Sequence, residues 1–360
     1  MMKAAVCREF GRPLQIEDVT IADPGPGEVK VRMTAVAICH SDITYAEGGW
    51  GGTLPAVYGH EGAGVVQAIG DGVTSVSVGD SVVVTLVRWC GYCHGCSMGK
   101  PVTCDTTFPL DQRSPLTDSH GVALEHGLRT GAFAEYTVVH HSQLVVVPNT
   151  LASEVAALLA CGVITGYGAV VNTAHVEVGS HVVVLGCGGV GLNSVQGALL
   201  SGARTITAVD VSHSKLAVAR QFGATHAVHA TADVVAEVLA ITEGRGADYV
   251  FVTVGVKAAF DQSYALLAKA GAVVLVGMPP TGVNSEIDPG MIAARSQRIL
   301  GSKMGSTRTN IDIPTLVTLY AQGRFKLDEL ITGRYALADI NEAIASVNRG
   351  EAIRNVIVFP

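Results

Sequence analysis

The stretch that most limits what this chain can fold into is Gly186-Cys187-Gly188-Gly189-Val190-Gly191, read with its flanks. His181-Val182-Val183-Val184-Leu185 runs into it as an unbroken apolar segment, the pattern of a strand covered on both faces of a parallel sheet. A helix of small residues follows. Arg204-Thr205-Ile206-Thr207-Ala208-Val209 then reads as the next strand and ends in Asp210, nineteen residues past Gly191. A lone GxGxxG is a weak signal. Between a strand and a helix, with a carboxylate closing the second strand, it is the context that a dinucleotide fold requires. Gly186, Gly188, Gly189, Val190 and Gly191 would bring the backbone close to a pyrophosphate at the helix N-terminus. Asp210 would accept hydrogen bonds from the adenosine ribose and repel a 2′-phosphate, which favours NAD over NADP. Further strands at about 226–229, 248–253, 272–276 and 298–301 bring the count to six, a complete doubly wound parallel α/β sheet.

That sheet accounts for less than half of 360 residues, so a second domain is expected. The net charge of −7 argues against a nucleic-acid binder. No run of 18 apolar residues spans a membrane. Met1 to Phe10 carries Lys3, Arg8 and Glu9 and no apolar run of signal-peptide length, so a cytoplasmic location is expected. Four of the eight cysteines crowd into fifteen residues, which reads as metal binding in a reducing compartment rather than as disulfides.

The first part of the chain is β-rich. Glu28 to Val36 alternates like a half-buried strand, follows the turn Pro24-Gly25-Pro26-Gly27, and delivers Cys39 at its end. Gly62 to Val66 and Ser81 to Val84 extend a partly open barrel. Residues 105–132 read as loop, and Gly131 to Val139 as strand. A helix capped by Ser153 runs to Cys161. After Gly301, mixed helices and a closing strand, Asn355 to Phe359, return to the first domain. The expected division is 1–162 with 300–360 as a catalytic domain, and 163–299 as the nucleotide domain.

Cys90, Cys93, Cys96 and Cys104 are spaced C-x2-C-x2-C-x7-C, which suits four thiolates on a tetrahedral zinc. An iron–sulfur cluster is the rival, but its last cysteine usually lies closer and precedes a proline. Cys39, His60 and Cys161 could give two thiolates and an imidazole to another zinc with one position open, a catalytic rather than a structural set. Taken singly, His60 is as well explained as a satisfied buried histidine, and Cys161 as a core residue. Ser41, two residues past Cys39, is either a proton acceptor or a helix cap. Asp42 either orients the His60 imidazole or caps a helix. Glu61 either approaches the metal from behind or pairs with a buried cation. An open zinc polarises an alcohol oxygen, and a nicotinamide beside it takes hydride.

These motifs, in this order, resemble a zinc-dependent alcohol dehydrogenase of the medium-chain dehydrogenase/reductase superfamily over nearly the whole length. The resemblance implies a GroES-like β-rich catalytic domain joined to a Rossmann domain. It implies two zincs per chain, one on Cys39, His60 and Cys161 with Glu61 near, the other on Cys90, Cys93, Cys96 and Cys104. Ser41 would be the first relay hydroxyl and Thr165 would lie near the nicotinamide. Asp210 and Lys215 would hold the adenosine ribose, with Arg354 near the pyrophosphate. Trp50, Leu86, Phe133, Met278 and Ile299 would wall the pocket. Two positions depart from the pattern. His40 stands where many relatives carry a pyrophosphate-binding arginine, and Thr44 where some end the relay on histidine. The proton is then expected to leave from the ribose hydroxyl to water, or through His40. The long interval from Cys104 to Phe133 resembles dimeric members, so a homodimer is expected. The expected reaction is NAD-dependent oxidation of a primary, aromatic or medium-chain apolar alcohol to its aldehyde. The rivals are a thiol-adduct formaldehyde dehydrogenase and a non-catalytic zinc- and nucleotide-binding protein.

Overall fold

Glu28–Ala37 is the strand that organises the first part of the chain. Val29, Val31 and Met33 are buried while Lys30, Arg32 and Thr34 are partly exposed, and the run Ala35 to Ala37 is buried throughout. Alternation thus gives way to full burial as the strand approaches Cys39. In the computed structural model, which describes all 360 residues, this strand lies within a seven-stranded sheet. The sheet order is Leu144–Val146, Ser81–Thr85, Glu61–Ile69, Glu28–Ala37, Arg354–Val358, Ile331–Tyr335, with Tyr136–His140 also paired to Glu28–Ala37. A closed barrel of Met2–Cys7, Gln15–Ile21, Leu116–Asp118, Ala123–His126 and Ala56–Val57 completes the β structure of this unit.

Three local expectations change. Residues 105–132 are not all loop, because Leu116 and Leu124 are core side chains and their short strands close the barrel. The strand expected from Gly131 begins only at Tyr136. Before it, Ala132 and Phe133 spend their amides on the carbonyls of Gly59 and Tyr58. The helix Ser153–Leu158 is capped by Ala152, not Ser153, and ends before Cys161, which sits on the turn into Gly162–Gly168.

The chain forms two compact units, Met1–Gly162 with Arg308–Pro360, and Val163–Thr307. The second return point falls after Thr307 rather than at 300, because Arg298–Gly301 pairs with Leu267–Leu275 as an edge strand. The second unit is a six-stranded parallel sheet. Its order is His226–His229, Thr205–Asp210, His181–Leu185, Ala247–Val252, Leu267–Leu275, Arg298–Gly301. Its first strand in sequence is central, so the winding reverses beside His181–Leu185. A crevice for ligand forms at the carboxyl ends of the strands at such a switch point. Val183, Leu185, Val250, Val252 and Val273 fill the core of this unit. No helix is long and apolar enough to cross a membrane.

The fold also buries imidazoles of the first unit. Burial pushes His126 down to about 4. Burial, with His141 and Arg88, does the same to His140. Both are neutral in the folded chain, whereas in the unfolded chain they take protons near 6.5. Their contribution is therefore intact above about pH 6.5 and is lost as pH falls toward about 4. For His126 the loss is up to about 3 kcal/mol. Urea midpoints taken between about pH 7 and about pH 4.5 should fall less steeply in His126→Gln than in the wild type. Equal slopes would refute the assignment.

Candidate active site

The strand Glu28–Ala37 ends just before Cys39, which caps the helix His40–Ala46. The third residue of that helix, Asp42, is buried. Its Oδ2 accepts the Cys39 amide at 3.1 Å and its Oδ1 accepts the Gly59 amide at 2.9 Å. The same Oδ1 lies 2.8 Å from Nδ1 of His60. Asp42 thus fills both roles weighed for it, helix cap and imidazole acceptor. With Nδ1 donating, Nε2 keeps its lone pair. That Nε2 is buried and has no hydrogen-bond partner. Gly59, at φ +94°, makes the approach possible, since a Cβ there would lie 2.5 Å from the Phe133 amide nitrogen.

Ligand atoms of Cys39, His60, Glu61 and Cys161 lie within 4.8 Å of one another. His60, Glu61 and Cys161 are buried and Cys39 is partly exposed. A hydrogen bond from Cys161 holds the Cys39 thiol well below its ordinary value, against burial, and His60 and Arg354 act in the same direction. The Cys161 thiol is correspondingly pushed up by Cys39 and by burial. Against burial, Asp42 with the Cys39 thiol raises the proton affinity of the His60 imidazole, which makes its Nε2 a strong donor to a cation. Burial pushes the Glu61 carboxyl up, and the Arg354 guanidinium paired with it opposes this. Glu61 Oε2 pairs with Arg354 Nη2, and Glu61 Oε1 has no partner. Two thiols sharing charge, an orphaned imidazole nitrogen and an orphaned carboxylate oxygen form a soft donor set that fits zinc.

The second thiol group is equally specific. Cys90, Cys93, Cys96 and Cys104 are all free. Cys90 Sγ lies 3.9 Å from Cys96 Sγ, and Cys93 Sγ lies 3.8 Å from Cys104 Sγ. Thiolates at about 2.3 Å from a tetrahedral zinc stand about 3.8 Å apart, so the spacing fits that ion.

In the second unit, Gly186 has φ +98°, and a Cβ on Gly191 would fall 1.8 Å from the Gly186 carbonyl oxygen. A Cβ on Gly188 would meet nothing within 4 Å. The outer glycines are thus fixed by packing and the middle one faces open space, as an approaching pyrophosphate requires. Gly188 also caps the helix Gly189–Leu200, and no side chain takes its first amides. Asp210 receives the amides of Cys187 at 2.7 Å and Ser212 at 2.9 Å, which fixes its carboxylate and leaves lone pairs for a ribose. Lys215 lies in the first turn of the helix His213–Gln221. The Thr165 hydroxyl donates to Met304 Sδ at 3.8 Å.

The remaining predicted residues are dispersed. Ser41 Oγ is 3.8 Å from Cys39 Sγ. The Thr44 hydroxyl donates to the carbonyl of His40, whose side chain is exposed. Trp50 meets Tyr45 edge-on at 5.1 Å, and Leu86 is half-buried beyond Ser81–Thr85. Phe133 is 1% exposed, lies in the core of the first unit and packs over Gly59. Met278 and Ile299 are exposed on the second unit. Arg354, expected near a pyrophosphate, pairs with Glu61. Gly162, beside Cys161, makes room for that guanidinium, since a Cβ there would lie 2.4 Å from Arg354 Nη1.

Thiol and imidazole donors gathered at one point, and a glycine turn at the carboxyl end of a parallel sheet, are what a metal- and nucleotide-dependent oxidoreductase requires. Comparison with known proteins agrees. Residues 25–149 match the alcohol dehydrogenase GroES-like domain, and residues 189–322 match the zinc-binding dehydrogenase domain. The S-(hydroxymethyl)glutathione dehydrogenase of Komagataella pastoris is 36% identical over 371 residues, spanning 99% of this chain and 97% of its own. The benzyl alcohol dehydrogenase of Acinetobacter calcoaceticus superimposes with a TM-score of 0.93 at 33% identity, covering 100% of this chain and 99% of the other. A Sinorhizobium meliloti 1021 chain solved with NADP gives 0.82 at 29% identity, covering 100% and 99%. The chain belongs to the zinc-binding medium-chain alcohol dehydrogenase family and is an alcohol dehydrogenase, which removes the non-catalytic reading.

Removing the Asp42 carboxylate should free the His60 ring. Asp42→Ala is expected to weaken zinc at the Cys39, His60 and Cys161 group about 10–100-fold, with Asp42→Asn intermediate. Competition against a chelator of known affinity measures this. Wild-type affinity in Asp42→Ala would contradict the role given to Asp42.

Proposed function

We propose that this enzyme uses NAD to oxidise a primary alcohol, aromatic or medium-chain and apolar, to the aldehyde, with one zinc on Cys39, His60 and Cys161 and another in the four-cysteine lobe. The observation that carries the reading is the buried His60 Nε2, fixed by Asp42 and left without a partner among two thiols and a carboxylate. When bound, zinc supplies a Lewis acid that polarises the alcohol oxygen and lowers its pKa. Ser41 Oγ, beside Cys39 Sγ, takes up the alcohol proton. Thr44, whose hydroxyl donates to the His40 carbonyl, does not act as the next base, because a threonine hydroxyl is not basic near neutral pH. Bound NAD would offer a ribose hydroxyl toward water, and the exposed His40 is the protein group that could pass the proton on instead. Gly186, Gly188 and Gly191 would receive the pyrophosphate, and the Asp210 carboxylate would take the ribose and disfavour a 2′-phosphate.

The aromatic pair Tyr45 and Trp50 supports an apolar or aromatic substrate, as does the likeness to a benzyl alcohol dehydrogenase. A second reading, oxidation of a thiol adduct of formaldehyde, is favoured by the likeness to an S-(hydroxymethyl)glutathione dehydrogenase. Eight cysteines with no disulfide among them suit a reducing cytoplasm. NADH formation should be followed across benzyl alcohol, hexanol, secondary alcohols, polyols and formaldehyde with glutathione. Benzyl alcohol is expected to lead without added thiol, and NAD to exceed NADP by at least about tenfold in kcat/KM. Turnover only with formaldehyde and glutathione would replace the first reading with the second.

A homodimer follows from the same reading. Arg298–Gly301 is a sheet edge, and Met278, Ile287, Met291 and Ile299 are exposed apolar side chains of that unit. Light scattering should give twice the chain mass of 37.2 kDa, and a monomer mass would rule the dimer out.

A further inference from the structure

Arg88 is an arginine that neither the nucleotide nor the alcohol needs. It stands two residues before Cys90, and its side chain is 1% exposed. Nη2 donates to Asp111, and the guanidinium lies over the Phe108 ring, 4.9 Å from its centre. Nε and Nη1 are buried without any hydrogen-bond partner. A buried guanidinium this poorly paired is costly unless further negative charge lies near.

The local carboxylates do not provide enough. Asp111 also faces Arg129 at 3.7 Å and accepts the Phe108 amide at 2.9 Å. Glu28 is held by Arg113 at 2.6 and 2.7 Å. Arg88 stands two residues before Cys90, and the Phe108 ring and Asp111 carboxylate that it touches follow Cys104 by four and seven residues, so the guanidinium is tied to both ends of the lobe. Four thiolates around a divalent ion leave a net double negative charge. The chain that leaves the lobe at Cys104 comes back to Arg88 through Phe108 and Asp111.

We propose that Arg88 is the counter-charge of the four-cysteine centre. Its buried guanidinium offsets part of the excess negative charge of the thiolates and their metal, and so slows loss of that metal. The inference rests on reading the lobe as a zinc site. Arg88 acts on the lobe alone and takes no part in hydride transfer.

The test uses the full-length holoenzyme. Zinc per chain is counted by elemental analysis, and release into a chromophoric chelator is timed. The lobe phase is the one missing in Cys104→Ser. Arg88→Met should release lobe zinc at least about tenfold faster, and Arg88→Lys, which keeps the charge, should restore most of the difference. Asp111→Asn removes a competing anion and should release zinc no faster than the wild type. That arm leaves Arg88 unchanged and decides the question even if Arg88→Met does not fold. Wild-type release from folded Arg88→Met would overturn the proposal. So would an acceleration in Asp111→Asn, since the ion pair would then be only a clamp on the chain. A wild-type chain holding one zinc, with release unaltered by Cys104→Ser, would sink the zinc reading of the lobe itself.

Discussion

Everything at the metal group depends on one buried carboxylate. Asp42 reaches three donors, the amides of Cys39 and Gly59 and Nδ1 of His60, and these belong to two separate stretches of chain. An unpaired carboxylate at this depth would be very costly. Fully supplied with donors, it becomes a rigid joint that fixes where Cys39 leaves its helix and how the His60 ring is turned. The local fold serves that joint. Gly59 takes a left-handed conformation under the Phe133 backbone, and His60 is thereby held against the end of Glu28–Ala37.

A second constraint comes from the far end of the chain. Arg354–Val358 pairs antiparallel with Glu28–Ala37, with Val356 opposite Ala37. That register brings Arg354 to the strand end from which Cys39 emerges. Its guanidinium pairs with Glu61, 293 residues away in sequence. Burial of the arginine and burial of the glutamate are each expensive, and each offsets the other. The return of the C-terminal tail to the first unit therefore places charge at the site as well as completing a sheet.

How much of this was legible follows from how local each signal is. The glycine turn, the carboxylate at the end of the next strand and the four-cysteine spacing are short-range patterns, and each of their residues has a chemistry that few alternatives explain. The central parallel strands His181–Leu185, Ala247–Val252 and Leu267–Leu275 were legible because each carries a dense apolar run. The barrel strands Leu116–Asp118 and Ala123–His126 were not, because three or four residues are too few to show a period. Phe133 was named as a pocket wall by the resemblance alone, and its packing over Gly59 is a long-range contact that no local pattern carries. The Glu61–Arg354 pair was beyond a sequence reading, since nothing local tells a glutamate which distant cation it will meet.

The two thiol groups then differ for an electrostatic reason. Two thiolates balance a divalent cation, and Glu61 with Arg354 adds no net charge, so Cys39, His60 and Cys161 form a near-neutral setting in which an alcohol oxygen can give up its proton. Four thiolates overshoot that balance. They hold a metal tightly, close its coordination and leave it no Lewis acidity to spend on a substrate. The excess must be met by the protein, and the buried guanidinium nearest in sequence to Cys90 is Arg88. Each centre is thus backed by one buried arginine. Arg354 is matched by a dedicated carboxylate, whereas Arg88 has only a shared one, and the difference corresponds to the negative charge that the lobe would carry.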